Sequence, residues 1–331
     1  MVMYIFYGLL LFITDGFVTH GKIKEVQTML YLKDYLTTLL PIYSCYYYTR
    51  KGFLTEDIFS KFAVLFVVVG IVMHYRMQRE ALEALIAAGS NRTEVTNNSG
   101  YVVLAIIPSL MVLNKKPLLQ YIGLAVCFLF LLLAMKRGAI LCAMIFLMAF
   151  MWHKMKNAKG GRKFGFIFLL TIGFYFFIQF VENRLATSDY FSYRVEQTLE
   201  GNASGRDDMY SQILSHYFND TGVIQKLVGY GANGTIKLFT NYAHNDWLEI
   251  ITNQGLLGVI IFVYYCLCFW RTIRRGRLSS ESHFALLVVF LMFLPQTFFS
   301  AGITNTIIFT SSMIGFALAD GFDKKEITIK S

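Results

Sequence analysis

The stretch Ala243-His244-Asn245-Asp246-Trp247-Leu248 closes a long polar segment and runs, through Gly255-Leu256-Leu257-Gly258, into an apolar segment that ends near Trp270. A bilayer core of about 30 Å needs roughly 20 apolar residues at about 1.5 Å each, and residues 248–270 supply that length. The stretch therefore sets a histidine where a polar loop meets a membrane helix. Imidazole has its ordinary pKa near neutrality, so His244 is a candidate general base at a membrane surface.

The whole chain has the same character. Of 331 residues, 56% are hydrophobic and 15% charged, and mean hydropathy is +0.51. No ordinary soluble domain of this size has such a composition. Apolar segments of spanning character occur at 2–17, 29–48, 59–75, 100–113, 117–135, 138–152, 164–181, 248–270, 284–300 and 305–319. The expected fold is an all-α integral membrane protein, a polytopic bundle of about ten spans. Residues 1–181 would hold about seven spans and 248–331 about three with a short tail, on either side of a large outer loop at 182–247 that contains short amphipathic helices. Residues 2–17 lack a basic start and a small-residue cleavage site, and read as a first span rather than a signal peptide.

The Lys/Arg groups at Arg50-Lys51, Lys115-Lys116, Lys154 to Lys163, Arg271 to Arg277 and Lys324-Lys325 fall on one side when the spans are threaded in order. By the positive-inside bias that side is cytoplasmic, both termini lie on it, and the loop at 182–247 faces outward. The net charge of +9 follows from this bias and is no argument for nucleic acid, since no basic-aromatic stripe lies on a polar face. All five cysteines sit in apolar spans, as small hydrophobes rather than a disulfide or metal framework.

Within the outer loop, Tyr210, Ile213, Leu214, Tyr217 and Phe218 recur at helical spacing, which predicts an amphipathic helix lying on the bilayer or on the bundle mouth. Ser204 would cap it, Gly222 would end it, and Arg206 falls in its first turn, where the helix dipole disfavours a cation. The plain reading of Arg206 is a solvated side chain paired with Asp207 or Asp208. A second basic site is the turn Met135-Lys136-Arg137-Gly138. Residues 117–152 are short for two crossings, so this turn should be drawn down to the interface or below it, with Arg137 partly sunk. Such a cation faces an internal cavity or snorkels to headgroups. Two arginines suit a diphosphate and a histidine suits a hydroxyl, a set that fits sugar transfer from a lipid diphosphate to an alcohol.

Lys136-Arg137-Gly138-Ala139, Ser204-Gly205-Arg206-Asp207, and Gly229-Tyr230-Gly231 followed by the His244 stretch resemble the bacterial O-antigen ligases and O-antigen polymerases, over about residues 123–263. The resemblance implies a GT-C-type membrane glycosyltransferase that takes an undecaprenyl-diphosphate-linked glycan at the outer, periplasmic face of the bacterial inner membrane, inverting and without metal or other cofactor. It implies that Arg137 and Arg206 hold the diphosphate, with Lys136 in support, that His244 activates the acceptor, and that Asn245 and Asp246 shape the loop around it. The acceptor would be a glycan or lipid A core. Membrane lipids and a chain-length regulator protein are the other partners it implies. Polymerase is the preferred reading and ligase the alternative. A lipid-linked glycan transporter is the competing class, disfavoured because the spans read as nearly free of charge and no repeat is evident. Asp15, in the first outer loop, is a rival catalytic residue, since other GT-C enzymes place an acid there.

Overall fold

A computed structural model describes residues 28–89, 98–157, 160–199, 206–231, 234–239, 241–275, 278–300 and 308–322. The expected first span at 2–17, Asp15 and Ser204 lie outside the described residues. Among those described there is no strand. The helices in order are α1 (Thr28–Arg50), α2 (Glu56–Ala87), α3 (Ser99–Ile106), a 3₁₀ segment (Ile107–Lys115), α4 (Pro117–Leu133), α5 (Arg137–Asn157), α6 (Gly161–Thr187), α7 (Asp189–Leu199), α8 (Arg206–Ser215), α9 (Val223–Val228), α10 (Gly234–Phe239), α11 (Asp246–Arg274), α12 (Ser280–Phe299) and α13 (Ile308–Leu318). Four described helices are long and apolar enough to cross a membrane: Glu56–Ala87, Arg137–Lys156, Asp246–Arg274 and Ser280–Phe298. Shorter apolar helices run over Ser99–Lys115, Pro117–Leu133 and Ile308–Leu318.

At one end of the bundle, Lys115, Lys116 and His153 meet acidic partners from other helices. Thr55 caps α2 by accepting from the Ile58 N–H, and Glu56 and Asp57 of the first turn pair with Lys115 and Lys116 at the end of the 3₁₀ segment. His153 of α5 lies 3.8 Å from Glu281 of α12, and the Ser279 N–H donates to Asp320 beyond α13 at 3.0 Å. Surface pairs of this kind contribute little individually. Their value here is that they fix which helix ends are neighbours.

The core is built around residues 99–113, nearly all buried, against Phe59 stacked on Phe316 (4.5 Å) and Phe66 tilted against Phe309 (4.8 Å). The apolar segment 100–113 is short against the roughly 20 residues of a crossing. Its second half is 3₁₀, and eight α residues at about 1.5 Å plus nine 3₁₀ residues at about 2.0 Å reach about 30 Å. Tighter winding leaves carbonyls poorly served, and side chains serve them. Ser109 donates to the Ile106 carbonyl (2.6 Å), Gln120 to Leu110 (3.0 Å) and Thr310 to Ala105 (3.0 Å).

The apolar segment 248–270 is not one straight span. Gly255, at φ 63° and ψ −163°, breaks α11. Trp247 and Phe262 stand fifteen residues apart, which a straight helix would separate by about 22 Å. Their ring centroids are 5.0 Å apart. A Cβ on Gly258 would likewise lie 3.1 Å from Ile250, so the arm before Gly255 is folded back on the arm after it. The crossing is left to residues 256–274.

The loop before α11 closes this bend. Gly229, at φ 80°, brings its backbone against Asn253 and Gln254, where any Cβ would collide with the peptide between them. The Tyr230 N–H donates to the Thr252 carbonyl (2.8 Å) and the Gly231 N–H to Asn253 (3.0 Å), two acceptors that the break deprives of helical partners. The expected loop helix is present but shorter: α8 ends at Ser215 and a single π turn covers His216–Asp220. Ile213 and Tyr217 are buried, whereas Leu214 and Phe218 are exposed, so α8 lies on the bundle mouth with a narrower apolar face than the spacing implied. Gly222 precedes α9 as its N-cap instead of simply ending α8.

Gly229→Ala should cost more than about 2 kcal/mol or prevent accumulation, since it adds a backbone collision to positive-φ strain. Gly89→Ala, also at positive φ but with nothing within 4 Å, should cost only about 1 kcal/mol. Thermal unfolding of both variants in detergent checks this, and equal shifts would contradict the described contact.

Candidate active site

Three segments remote in sequence build the site at the bundle end opposite the paired lysines. The first is the α4–α5 turn. Met135 stands at φ 52°, in the left-handed region that a side chain disfavours, and the chain turns there to present Lys136 before α5 begins at Arg137. Gly100 of α3 allows this turn to sit close: a Cβ there would meet Lys136 Cβ at 3.2 Å and Ala134 Cβ at 3.3 Å. Both Lys136 and Arg137 are half-buried.

The second segment is α8, which begins at Arg206. Ile213 of α8 packs with Ala243 and Leu248, and Met209, Tyr210 and Phe239 close around them. A fully buried isoleucine contributes about 1.5–3 kcal/mol, enough to seat so short a helix on the start of α11. Arg206 is also within electrostatic reach of Tyr101 on α3, whose hydroxyl engages Ser300 just beyond α12.

The third segment carries His244, also left-handed at φ 53°. Asn245 caps α11, its side chain accepting from the Trp247 N–H (3.0 Å) and the Leu248 N–H (3.2 Å), and its amide donates to the Phe298 carbonyl at 3.3 Å. Asp246 is buried in the first turn, where the helix dipole favours a carboxylate. The Trp247 indole N–H donates to Thr297 at 3.0 Å and its ring stacks on Phe298 at 5.6 Å. These contacts tie the histidine to the end of α12.

Burial, and after it the charges of Arg206 and Lys136, hold the His244 imidazole below its usual pKa. The ring is neutral at physiological pH and can accept a proton. His244, Arg206 and Lys136 thus share one electrostatic environment, and Arg137 follows Lys136 as the first residue of α5. The arrangement offers a neutral base beside cations drawn from two other segments.

Sequence reasoning missed Glu249 and Asn253. Glu249 sits inside one of the spans that read as nearly free of charge; it is buried, accepts from the Ala243 N–H at 2.6 Å, and takes a second hydrogen bond from Asn253 at 3.2 Å. A carboxylate four residues before an asparagine, both inside an apolar helix, was the available signal. Also unforeseen was the cluster in which the Tyr230 hydroxyl donates to Thr221 (2.9 Å) and meets the His216 ring nitrogen at 3.1 Å, which fastens the π turn to the Gly229–Gly231 loop.

Residues 122–263 match the family model described as O-antigen ligase. Over these residues the chain is similar to the O-antigen ligase family. Among curated proteins none matches. The O-antigen ligase match begins within α4 and ends in the crossing arm of α11, so it contains Lys136, Arg137, Arg206, the Gly229–Gly231 loop and His244.

The titration of His244, followed in lipid nanodiscs by its rate of modification with diethyl pyrocarbonate, should have a midpoint below 6.5. Lys136→Met removes a cation that disfavours the imidazolium, so its midpoint should move up toward 6.5. A midpoint above 6.5 in the parent, or a downward move in the variant, would contradict the shared environment.

Proposed function

We propose that this protein transfers a glycan from undecaprenyl diphosphate to an acceptor sugar hydroxyl at the outer face of a bacterial inner membrane. Neutral His244 takes the proton of the acceptor hydroxyl as its oxygen bonds to the anomeric carbon. The bond from that carbon to the diphosphate oxygen breaks, the diphosphate keeps the electron pair, and configuration inverts. Arg137, Arg206 and Lys136 neutralise the charge that builds on the leaving group. Charge-assisted hydrogen bonds of this type contribute about 1.5–3 kcal/mol each, and a positioned base about 10²–10⁴ in rate. The observation that carries this reading is the half-buried, left-handed His244, whose pKa is lowered by burial and by the nearby charges of Arg206 and Lys136.

Sidedness follows the same reading. The end that pairs Glu56 with Lys115 and Asp57 with Lys116 is cytoplasmic by its Lys/Arg content, and the site occupies the periplasmic end. Arg137 opens a spanning helix of 20 residues, about 30 Å long against a core of about 30 Å, which puts it at the outer edge of that core, at the level of a lipid diphosphate. Polymerisation of repeat units is the favoured reaction. Transfer of finished glycan to lipid A core is the alternative within the same chemistry.

His244→Ala, Arg137→Ala and Arg206→Ala should each abolish glycan extension or transfer, by at least about 10²-fold for the histidine, while the protein still accumulates in the membrane. A glycan gel of the deletion strain separates the two reactions: a single repeat unit on the acceptor marks a lost polymerase, and loss of all modal glycan from lipid A core marks a lost ligase. Normal glycan in the His244→Ala strain would sink the catalytic assignment.

A further inference from the structure

We propose that Glu249 is a positioning residue for His244: its carboxylate holds the Ala243 backbone so that the left-handed His244 is kept between Arg206 and Lys136. The proposal rests on the reading of His244 as the base. Ala243 is fully buried, and its N–H would be an unsatisfied donor if Glu249 Oε1 did not accept from it. The peptide that follows enters a conformation that a side chain disfavours, and such strain persists only where neighbouring contacts over-determine it.

Glu249 is itself held. Its Oε2 accepts from the Asn253 amide at 3.2 Å, and Asn253 is oriented because its Oδ1 accepts from the Thr235 N–H at 3.2 Å and its carbonyl from the Gly231 N–H at 3.0 Å. A hydrogen-bonded chain therefore runs from the Gly229–Gly231 loop through Asn253 and Glu249 to the residue before the base. Both carboxylate oxygens receive N–H donors, and a buried carboxylate in an apolar helix is tolerated only when so satisfied. Glutamine at 249 could still accept from Ala243, but its amide would face the Asn253 amide donor to donor. It should hold the histidine less well than glutamate and better than alanine.

The test uses the full chain in lipid nanodiscs, with diethyl pyrocarbonate as probe and mass spectrometry of the His244 and His153 peptides as readout. His153, at the opposite bundle end, is the internal reference. The groups acting on the His244 ring, Arg206 from α8 and Lys136 from the α4–α5 turn, are unchanged in the variants. Glu249→Ala should speed His244 modification about tenfold and raise its midpoint toward 6.5, and Glu249→Gln should speed it about threefold, with His153 constant in both. Glycan made by cells should fall in the same order. If Glu249→Ala fails to accumulate, Glu249→Gln carries the test alone. Parental rate and midpoint in every variant that accumulates would overturn the proposal. Normal glycan in the His244→Ala strain would instead remove the catalytic reading and leave the modification rates standing, so the two failures are distinguishable.

Discussion

The site depends on a backbone contact between Gly229 and Gly255. At Gly255 the helix ladder of α11 is interrupted, and the carbonyls of Thr252 and Asn253 would be left unserved in an apolar setting at about 1–3 kcal/mol each. The Tyr230 and Gly231 N–H groups serve them instead. Only a residue without Cβ can stand at 229, because its backbone lies against the Asn253–Gln254 peptide, and a Cβ at 255 would meet the Leu227 carbonyl carbon at 2.5 Å. The two glycines therefore set the bend of α11, and the bend brings the start of that helix back to the end of α12. Without it, His244 would stand far from the helix ends that carry Lys136.

From that bend the electrostatics follow. Arg206 reaches the histidine because α8 is seated by Ile213 on Ala243 and Leu248, and Lys136 because Gly100 admits the α4–α5 turn. Three separate packing solutions thus converge on one charge arrangement. The cations that make the imidazole a weaker base are the groups the proposal assigns to the diphosphate. A bound diphosphate would offset their field and raise the proton affinity of His244 as donor and acceptor come together. The base would be strengthened by the substrate it serves.

Much of this was legible in the sequence, and the exceptions have physical causes. Hydrophobic run length located most of the helices, and Arg206 stands at the start of α8 as its apolar spacing required. The run 248–270 concealed its bend because a glycine inside an apolar helix reads the same whether it packs or breaks, and only the positive φ at Gly255 separates the cases. Residues 100–113 looked too short because residue counting assumes an α rise, whereas 3₁₀ winding lengthens the segment. Leu214 and Phe218 matched the helical stripe but stand outside the narrower face that Ile213 and Tyr217 bury. Glu249 escaped notice because hydropathy averages a single carboxylate away, and its partner, the Ala243 N–H, belongs to the backbone and leaves no mark in composition.

The assembly of the site requires the folded-back arm of α11, and a distance within that arm can be measured. In a cysteine-free background, Trp247→Cys and Phe262→Cys are introduced together and treated in native membranes with a bifunctional thiol reagent spanning about 10 Å, against the about 22 Å of a straight helix. The bend predicts an intramolecular cross-link in high yield, recovered as linked peptides by mass spectrometry. Two thiols that react singly, with no linked peptide, would show a continuous helix and contradict the assembly of His244 with Arg206 and Lys136.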